Sequence, residues 1–302
     1  MNILDATYFA PIDTIVALSF LLINSAFCVV CSKHAKLHSS ETINIILINI
    51  LFYITLSLIL FIFSIFIFNL EFLRFFFSFL IVLKIIYISK HFTFFNKKLG
   101  EIKKYLVENI LFAFVLILVI ILVCSPTTDA DSLDYHLGAP LEIIRSGGLF
   151  LREDDWLSHR LIQSGEMINL YGLVIGSKNF GQIFQIVPFI FLKLIFDFFL
   201  KSRNLEKKLI IFLLFSFPLL ISILLTQKQI LFPSVMIILS FVFLMKEGDY
   251  NIKNLRNILI LVLAPVSFKY SYLIYSVPLF IYVFLYFYKK IKFINIIFLI
   301  LS

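Results

Sequence analysis

Long apolar runs, broken by short stretches that are polar and mostly basic, make up most of this 302-residue chain. A bilayer core about 30 Å thick takes roughly 20 helical residues to cross. The runs reach that length and lack the strict alternation of a transmembrane barrel, so the spanning elements are helices. The pattern predicts spans at about 12–31, 42–68, 72–90, 106–124, 179–200, 208–226, 229–246, a shorter one at 256–266, and 271–288. A tenth run begins near residue 293 and stops at Ser302. It is too short to cross, so the pattern predicts a truncated or incomplete version of a longer protein. The expected fold class is all-α: a polytopic transmembrane helix bundle of about nine or ten spans. Residues 1–105 form an N-terminal set of about three spans, and residues 106–302 a second membrane domain with one long outward loop.

Composition agrees. Hydrophobic residues make up 61% of the chain and charged residues 15%, against about a quarter charged in soluble globular domains. Charge then orients the bundle. The first eleven residues hold no Lys or Arg; with the N-terminus outside, the cytoplasmic loops carry Lys33 and Lys36; Lys90, Lys97, Lys98, Lys103 and Lys104; Lys201, Arg203, Lys207 and Lys208; Lys246, Lys253 and Arg256; and Lys289, Lys290 and Lys292. That places seventeen of the 26 basic residues on one side, as the positive-inside rule requires. The net charge of +8 is therefore a topology signal, and the chain shows no basic face or motif for nucleic acid. The predicted location is the cytoplasmic (inner) membrane, multi-pass. Cys28 and Cys31 form a CxxC inside a span, where small packing residues explain it.

This topology puts residues 125–178 outside, and that loop gathers Asp129, Asp131, Asp134, Glu142, Glu153, Asp154, Asp155 and Glu166, eight of the 18 acids. A single mid-membrane acid costs about 2.5–3.5 kcal/mol on the insertion scale, so the loop is no hidden span. Pro126 ends the preceding span, "TTDAD" offers N-caps, and "SLDYHLGAPLEIIR" spaces its apolar residues as a helix does before Gly147 and Gly148 stop it. The expectation is a short amphipathic surface helix with Leu133, Leu137, Leu141 and Ile144 toward lipid or bundle, and a second over about 163–175.

Two readings of the aspartates stand side by side. In one, Asp131 caps the first surface helix and Asp134 favours the positive end of its dipole. In the other, a carboxylate at the membrane exit acts as a general base toward a hydroxyl, or binds a divalent cation. Asp129, Asp131 and His136 are the right ligand types for such a cation, but spacing alone assigns neither metal nor cofactor. Asp154, Asp155 and Trp156 read as a solvated charge cluster with an interfacial aromatic. Within the spans, Lys193 and Asp197 are placed to pair four residues apart, and Lys84 is placed to snorkel. The chain has no P-loop, HExxH or GxSxG motif.

"SPTTDADSLDYHLGAPLEIIRSGG", "SHRLIQSGEMINLYGLVIGSKNFGQIFQ" and "SFKYSYLIY" together resemble the bacterial C-type integral-membrane glycosyltransferases related to protein O-mannosyltransferases and the aminoarabinose transferases of lipid A. The likeness covers about residues 120–290 and rests on short motifs: Asp131, Leu133, Tyr135, His136, Leu137 and Pro140, then Gly165–Met167 and Lys269–Ser271. It implies sugar transfer from a polyprenyl-phosphate donor to an acceptor hydroxyl on a glycan, lipid or protein, with an outward-loop Asp as base. Asp131 is then the base, with Asp129 as its alternative or helper. Tyr135, His136 and Glu166 are sugar- or acceptor-binding candidates, and Arg145, Arg152, Arg160 and Lys269 are cations for the phosphate. The chain departs from the pattern in "LLTQKQILF", where relatives often carry another acid on the outer side, and in lacking their further spans and soluble domain. A non-catalytic or truncated relative that binds lipid carrier or partner subunits, and a transporter of lipid-linked glycan, stay open beside the enzyme reading. The first three spans read as scaffold.

Overall fold

The computed structural model describes residues 11–66, 68–125, 127, 129–149, 162–200, 217–246 and 252–288, and every regular element among them is helical. The long helices are α1 (Pro11–Cys31), α2 (Glu41–Phe66) and α3 (Leu70–Lys90). Then come α4 (Phe92–Glu108), α5 (Ile110–Val123), a π-helical turn (Ser132–Leu137), α6 (Gly138–Ser146) and α7 (Ser164–Val174). The chain continues through α8 (Phe180–Phe184), α9 (Ile186–Phe199), α10 (Pro218–Leu224), α11 (Leu231–Lys246), α12 (Ile252–Phe268), a 3-10 turn (Tyr270–Tyr272) and α13 (Leu273–Tyr288).

Four segments are long and apolar enough to span a bilayer: Ile12–Cys31, Glu41–Phe66, Leu70–Lys90 and Phe180–Phe199. The α4–α5 pair makes a fifth only if its 103° bend is crossed as one span, and shorter apolar helices occupy Leu231–Met245, Leu255–Phe268 and Tyr270–Leu285. Large apolar side chains lie exposed along α3 (Phe72, Phe75, Phe79, Val82, Ile86) and α5 (Ile110, Phe114, Ile117, Ile121). A belt this size is uncommon on a soluble monomer and is the surface a bilayer covers. The chain is a multi-pass membrane protein.

Two details differ from the pattern-based expectation. The stretch expected as a simple basic loop before a span at 106–124 holds α4, an amphipathic helix folded back against α5. Lys98 ties α4 to the first turn of α2 through Glu41 at 2.6 Å, and to its own Glu101 at 2.6 Å. Lys84 does not snorkel: it lies on the buried seam of α3 with Leu73 and Phe77, donates to Asn24 Oδ1 at 2.7 Å and sits 4.5 Å from the ring centre of Phe52. The expected Lys193–Asp197 pair forms, and Tyr105 of α4 joins it by hydrogen bonds to both. The first part of the expected span at 208–226 lies outside the described residues.

Contacts divide the polar groups between the two ends of the bundle. At one end, Asn44 knits the α1–α2 turn by accepting from Leu37 N–H and donating to Ala35 O, while Asn257 of α12 donates to Leu37 O. The α4 lysines lie at that end. At the other, Leu149 N–H bonds Ser64 O, Arg74 bonds Val174 O, and the turns after α10 and α12 meet the 127–149 and 162–179 segments.

Candidate functional site

Asp129 and Asp131 follow α5 at this second end. Asp129 Oδ1 accepts from Ser132 N–H at 2.9 Å, and Asp129 O accepts from Leu133 N–H, so Asp129 caps the new helix. The cap reading therefore belongs to Asp129 rather than Asp131, whose side chain makes no cap bond. Asp131 is left on the surface with 61% of its side chain exposed.

The helix opens as a π turn, which is rare and concentrated at functional sites. Its wider pitch carries Asp131 and His136 toward one another: His136 Nε2 lies 4.0 Å from Asp131 Oδ2. The following α6 ends on Gly147 at φ 74°, the left-handed geometry a glycine C-cap supplies. Leu137, Leu141, Leu133 and Ile144 pack on Leu173 of α7, so the first helix turns its apolar face to the bundle.

The second helix stands where it was expected, but it is buried on all sides rather than laid in the interface. Residues 165–174 of α7 are all buried, against α2, α6, α8 and α12. A capping box starts it: Gln163 accepts from the backbone of Glu166, and Glu166 Oε2 accepts from Gln163 N–H at 2.9 Å. The other carboxylate oxygen, Oε1, holds His136 Nδ1 at 2.8 Å. A carboxylate accepts, so Nδ1 carries a proton and donates to it, while the other ring nitrogen, Nε2, faces Asp131. Both residues are buried. Glu166, His136 and Asp131 thus form a line from the interior to the surface, with Asp131 at its exposed end.

The turn between α10 and α11 completes the site with residues that motif spacing passed over. Gln227 and Gln229 are buried on either side of Lys228. Gln227 N–H donates to Ser132 Oγ at 3.0 Å and its amide to Thr127 Oγ1 and Lys178 O, while Gln229 donates to Asn169 Oδ1 and Gly181 O. Asn169 donates in turn to His136 O at 2.7 Å and to Gln227 O. With both neighbours turned inward, Lys228 points out, 2.8 Å from Asp131 Oδ2 and 3.4 Å from Asp129 Oδ1. The "LLTQKQILF" stretch, remarked for its want of an acid, supplies the cation of the site. The signal was available, because counting spans puts residues 225–229 on the same side as the acidic loop.

The hydrogen bond from Lys228 is the largest influence on Asp131 and holds it below its ordinary carboxylate pKa, with the charges of Lys228, His136 and Lys269 adding to it against a counter-effect of burial. Lys228 is raised by the same bond, and burial then Glu166 push Tyr135 up. Lys269 stands at the start of the 3-10 turn, which Gln163 Oε1 holds through Tyr270 N–H at 3.2 Å. Asp129, Asp131, Tyr135, His136, Glu166 and Lys269 are therefore neighbours. Arg145 lies on α6 and pairs with Glu142 at 3.8 Å. Arg152, Arg160, the Asp154–Trp156 cluster and Pro126 lie outside the described residues. Among the described residues no three His, Cys, Asp or Glu side chains are grouped to hold a metal ion, and Lys228 lies between the two aspartates.

The DUF1420 N-terminal domain matches residues 82–302, a stretch that begins inside α3 and takes in the whole described site. No curated protein and no solved structure matches the chain.

Proposed function

We propose, for a chain that belongs to the DUF1420 family, that the cluster around Asp131 is the reaction centre of a membrane glycosyltransferase. The donor would be a sugar on polyprenyl phosphate and the acceptor a hydroxyl at the outer face of the cytoplasmic membrane. One observation carries the reading: Asp129 takes the capping role, and Asp131 stands exposed, beside a cation, at the end of an apolar bundle. In this reading the Asp131 carboxylate is where a lipid-borne substrate and a water-borne acceptor would meet.

In the proposed step Asp131 takes the acceptor's hydroxyl proton as that oxygen bonds to the anomeric carbon of the sugar. The bond from that carbon to the phosphate oxygen breaks, and polyprenyl phosphate leaves with the electron pair. A positioned base of this kind contributes about 10²–10⁴-fold. His136, fixed by Glu166, turns Nε2 toward Asp131, 4.0 Å from its Oδ2. Tyr135 and Tyr270 flank the exposed end, where aromatic faces suit a sugar ring.

The test is a mass-spectrometric comparison of surface glycans and lipid-linked sugars in cells lacking the gene, then resupplied with wild type or Asp131→Asn. Restoration of a missing sugar by wild type but not by the variant, at equal membrane abundance, is the expected result. Restoration by both would remove Asp131 from the chemistry, and an unchanged glycan profile on deletion would argue for a carrier-binding role instead.

A further inference from the structure

Resting on the transferase reading, we infer that the Asp129–Lys228–Asp131 bridge is an exchangeable lock on the site: a phosphate ester takes Lys228 from the carboxylates, and this exchange releases Asp131 as a base. The reason begins with a conflict in the geometry. Lys228 donates to Asp131 Oδ2 at 2.8 Å, and a carboxylate that holds an ammonium hydrogen bond accepts a proton poorly. The contact that closes the cluster is the one that disables its base.

Lys228 does not depend on the bridge for its position. Its backbone is fixed on both sides by the buried amides of Gln227 and Gln229, which reach Ser132, Thr127, Asn169 and Gly181. Only the four-carbon stem has to turn for the ammonium to leave Asp131 and meet another anion. Asp129 has a second tie, the Ser132 N–H, and stays where it is. Asp131 makes no cap bond and is the more exposed of the two, so it is the group set free.

A phosphate ester fits the vacated ammonium better than a second carboxylate would. Lys269, on the neighbouring 3-10 turn, is close enough to act on the charge of Asp131, yet no ion pair within 4.0 Å joins the two. Lys228 and Lys269 thus offer two point charges from separate turns, a pairing suited to an anion of up to two charges. The groups facing Asp131 are Asp129, Tyr135 and His136 from its own segment, Glu166 behind His136, Lys228, and Lys269 with Tyr270. Donor binding would precede base activation, and an acceptor bound alone would meet a blocked carboxylate.

The experiment follows the protonation of Asp131 directly, without turnover. The full chain is placed in nanodiscs and treated with a water-soluble carbodiimide and an amine across a pH series; mass spectrometry then gives the midpoint for labelling at Asp131, the protonated form being reactive. One arm holds no ligand, one inorganic phosphate, and one a long-chain polyprenyl monophosphate in the bilayer. The expected result is an upward shift of the midpoint by about one pH unit with the lipid phosphate, the scale of losing one close opposite charge. Lys228→Gln should start at the shifted midpoint and not respond. An equal shift with inorganic phosphate would support the exchange and assign recognition to the phosphate alone. Saturable retention of the lipid phosphate with an unmoved midpoint would overturn the exchange and leave the transferase reading standing. Failure of the chain to retain the lipid phosphate at all would overturn both.

Discussion

At the scale of single residues, the two aspartates divide stability from chemistry. Asp129 caps a helix, so Asp129→Ala should cost about 1 kcal/mol, the usual worth of an N-cap, and lower the thermal midpoint in detergent. Asp131→Asn should leave that midpoint nearly unchanged and abolish transfer, because its side chain is exposed and bonds only Lys228. The pH dependence has a definite sign. Asp131 is lowered by Lys228, so whatever stability their contact adds is present above the ordinary carboxylate pKa and is lost as pH falls through the depressed value. Thermal unfolding of wild type and Asp131→Asn should therefore differ least at the acid end; a gap that widens on acidification would contradict the assignment. The sequence located both carboxylates but could not rank them. Capping depends on which residue's oxygen meets which N–H: the helix begins at residue 130, so the cap falls to Asp129 rather than Asp131.

At the scale of elements, the close approach of α7, α8 and the 225–230 turn holds the site rigid. A Cβ on Gly181 would sit 1.8 Å from Asn169 Oδ1 and 2.5 Å from Gln227 Oε1, and one on Gly172 would sit 2.4 Å from Phe180 Cβ. Gly181→Ala and Gly172→Ala should each destabilise by about 1–3 kcal/mol, as overpacking does. Gly100→Ala in α4 meets open space and should instead stabilise by up to about 1 kcal/mol through helix propensity. Denaturation of the three variants in one detergent tests the contrast. Gly181→Ala should also reduce activity, since Gln227 flanks Lys228. The positions of α1, α2, α3 and α9 were legible from hydrophobic length alone. What was not legible was burial: α7 carries Glu166 and Asn169 among apolar residues and reads as half-exposed, yet both side chains turn inward onto His136 and Gln229. Amphipathic α4 was hidden for a different reason, since its lysines look like a loop when they are only counted.

At the scale of the whole molecule, the bundle is polarised. Lysines and the amphipathic α4 mark one end, and the acid-rich segments with the Gln-Lys-Gln turn mark the other. If the positive end faces the cytoplasm, a single cysteine at position 134, in a chain freed of Cys28, Cys31 and Cys124, should react with an impermeant thiol reagent in intact cells. One at position 97 should react only after permeabilisation. The reverse pattern would place the Asp131 cluster on the cytoplasmic side and remove it from outer-face chemistry. Alternation of charge made this polarity readable from the sequence, whereas the meeting of residues 129, 166, 228 and 269 needed the fold.

The measurement that tests the central claim most directly is the release of free polyprenyl phosphate by the purified chain in nanodiscs. Polyprenyl-phosphate sugars extracted from cells lacking the gene serve as donor and an envelope extract as acceptor, so the sugar need not be known beforehand. The account predicts release by wild type and a loss of about a hundredfold or more in Asp131→Asn, the scale of removing a general base. Equal release by the two proteins, or none above a protein-free control, would contradict it.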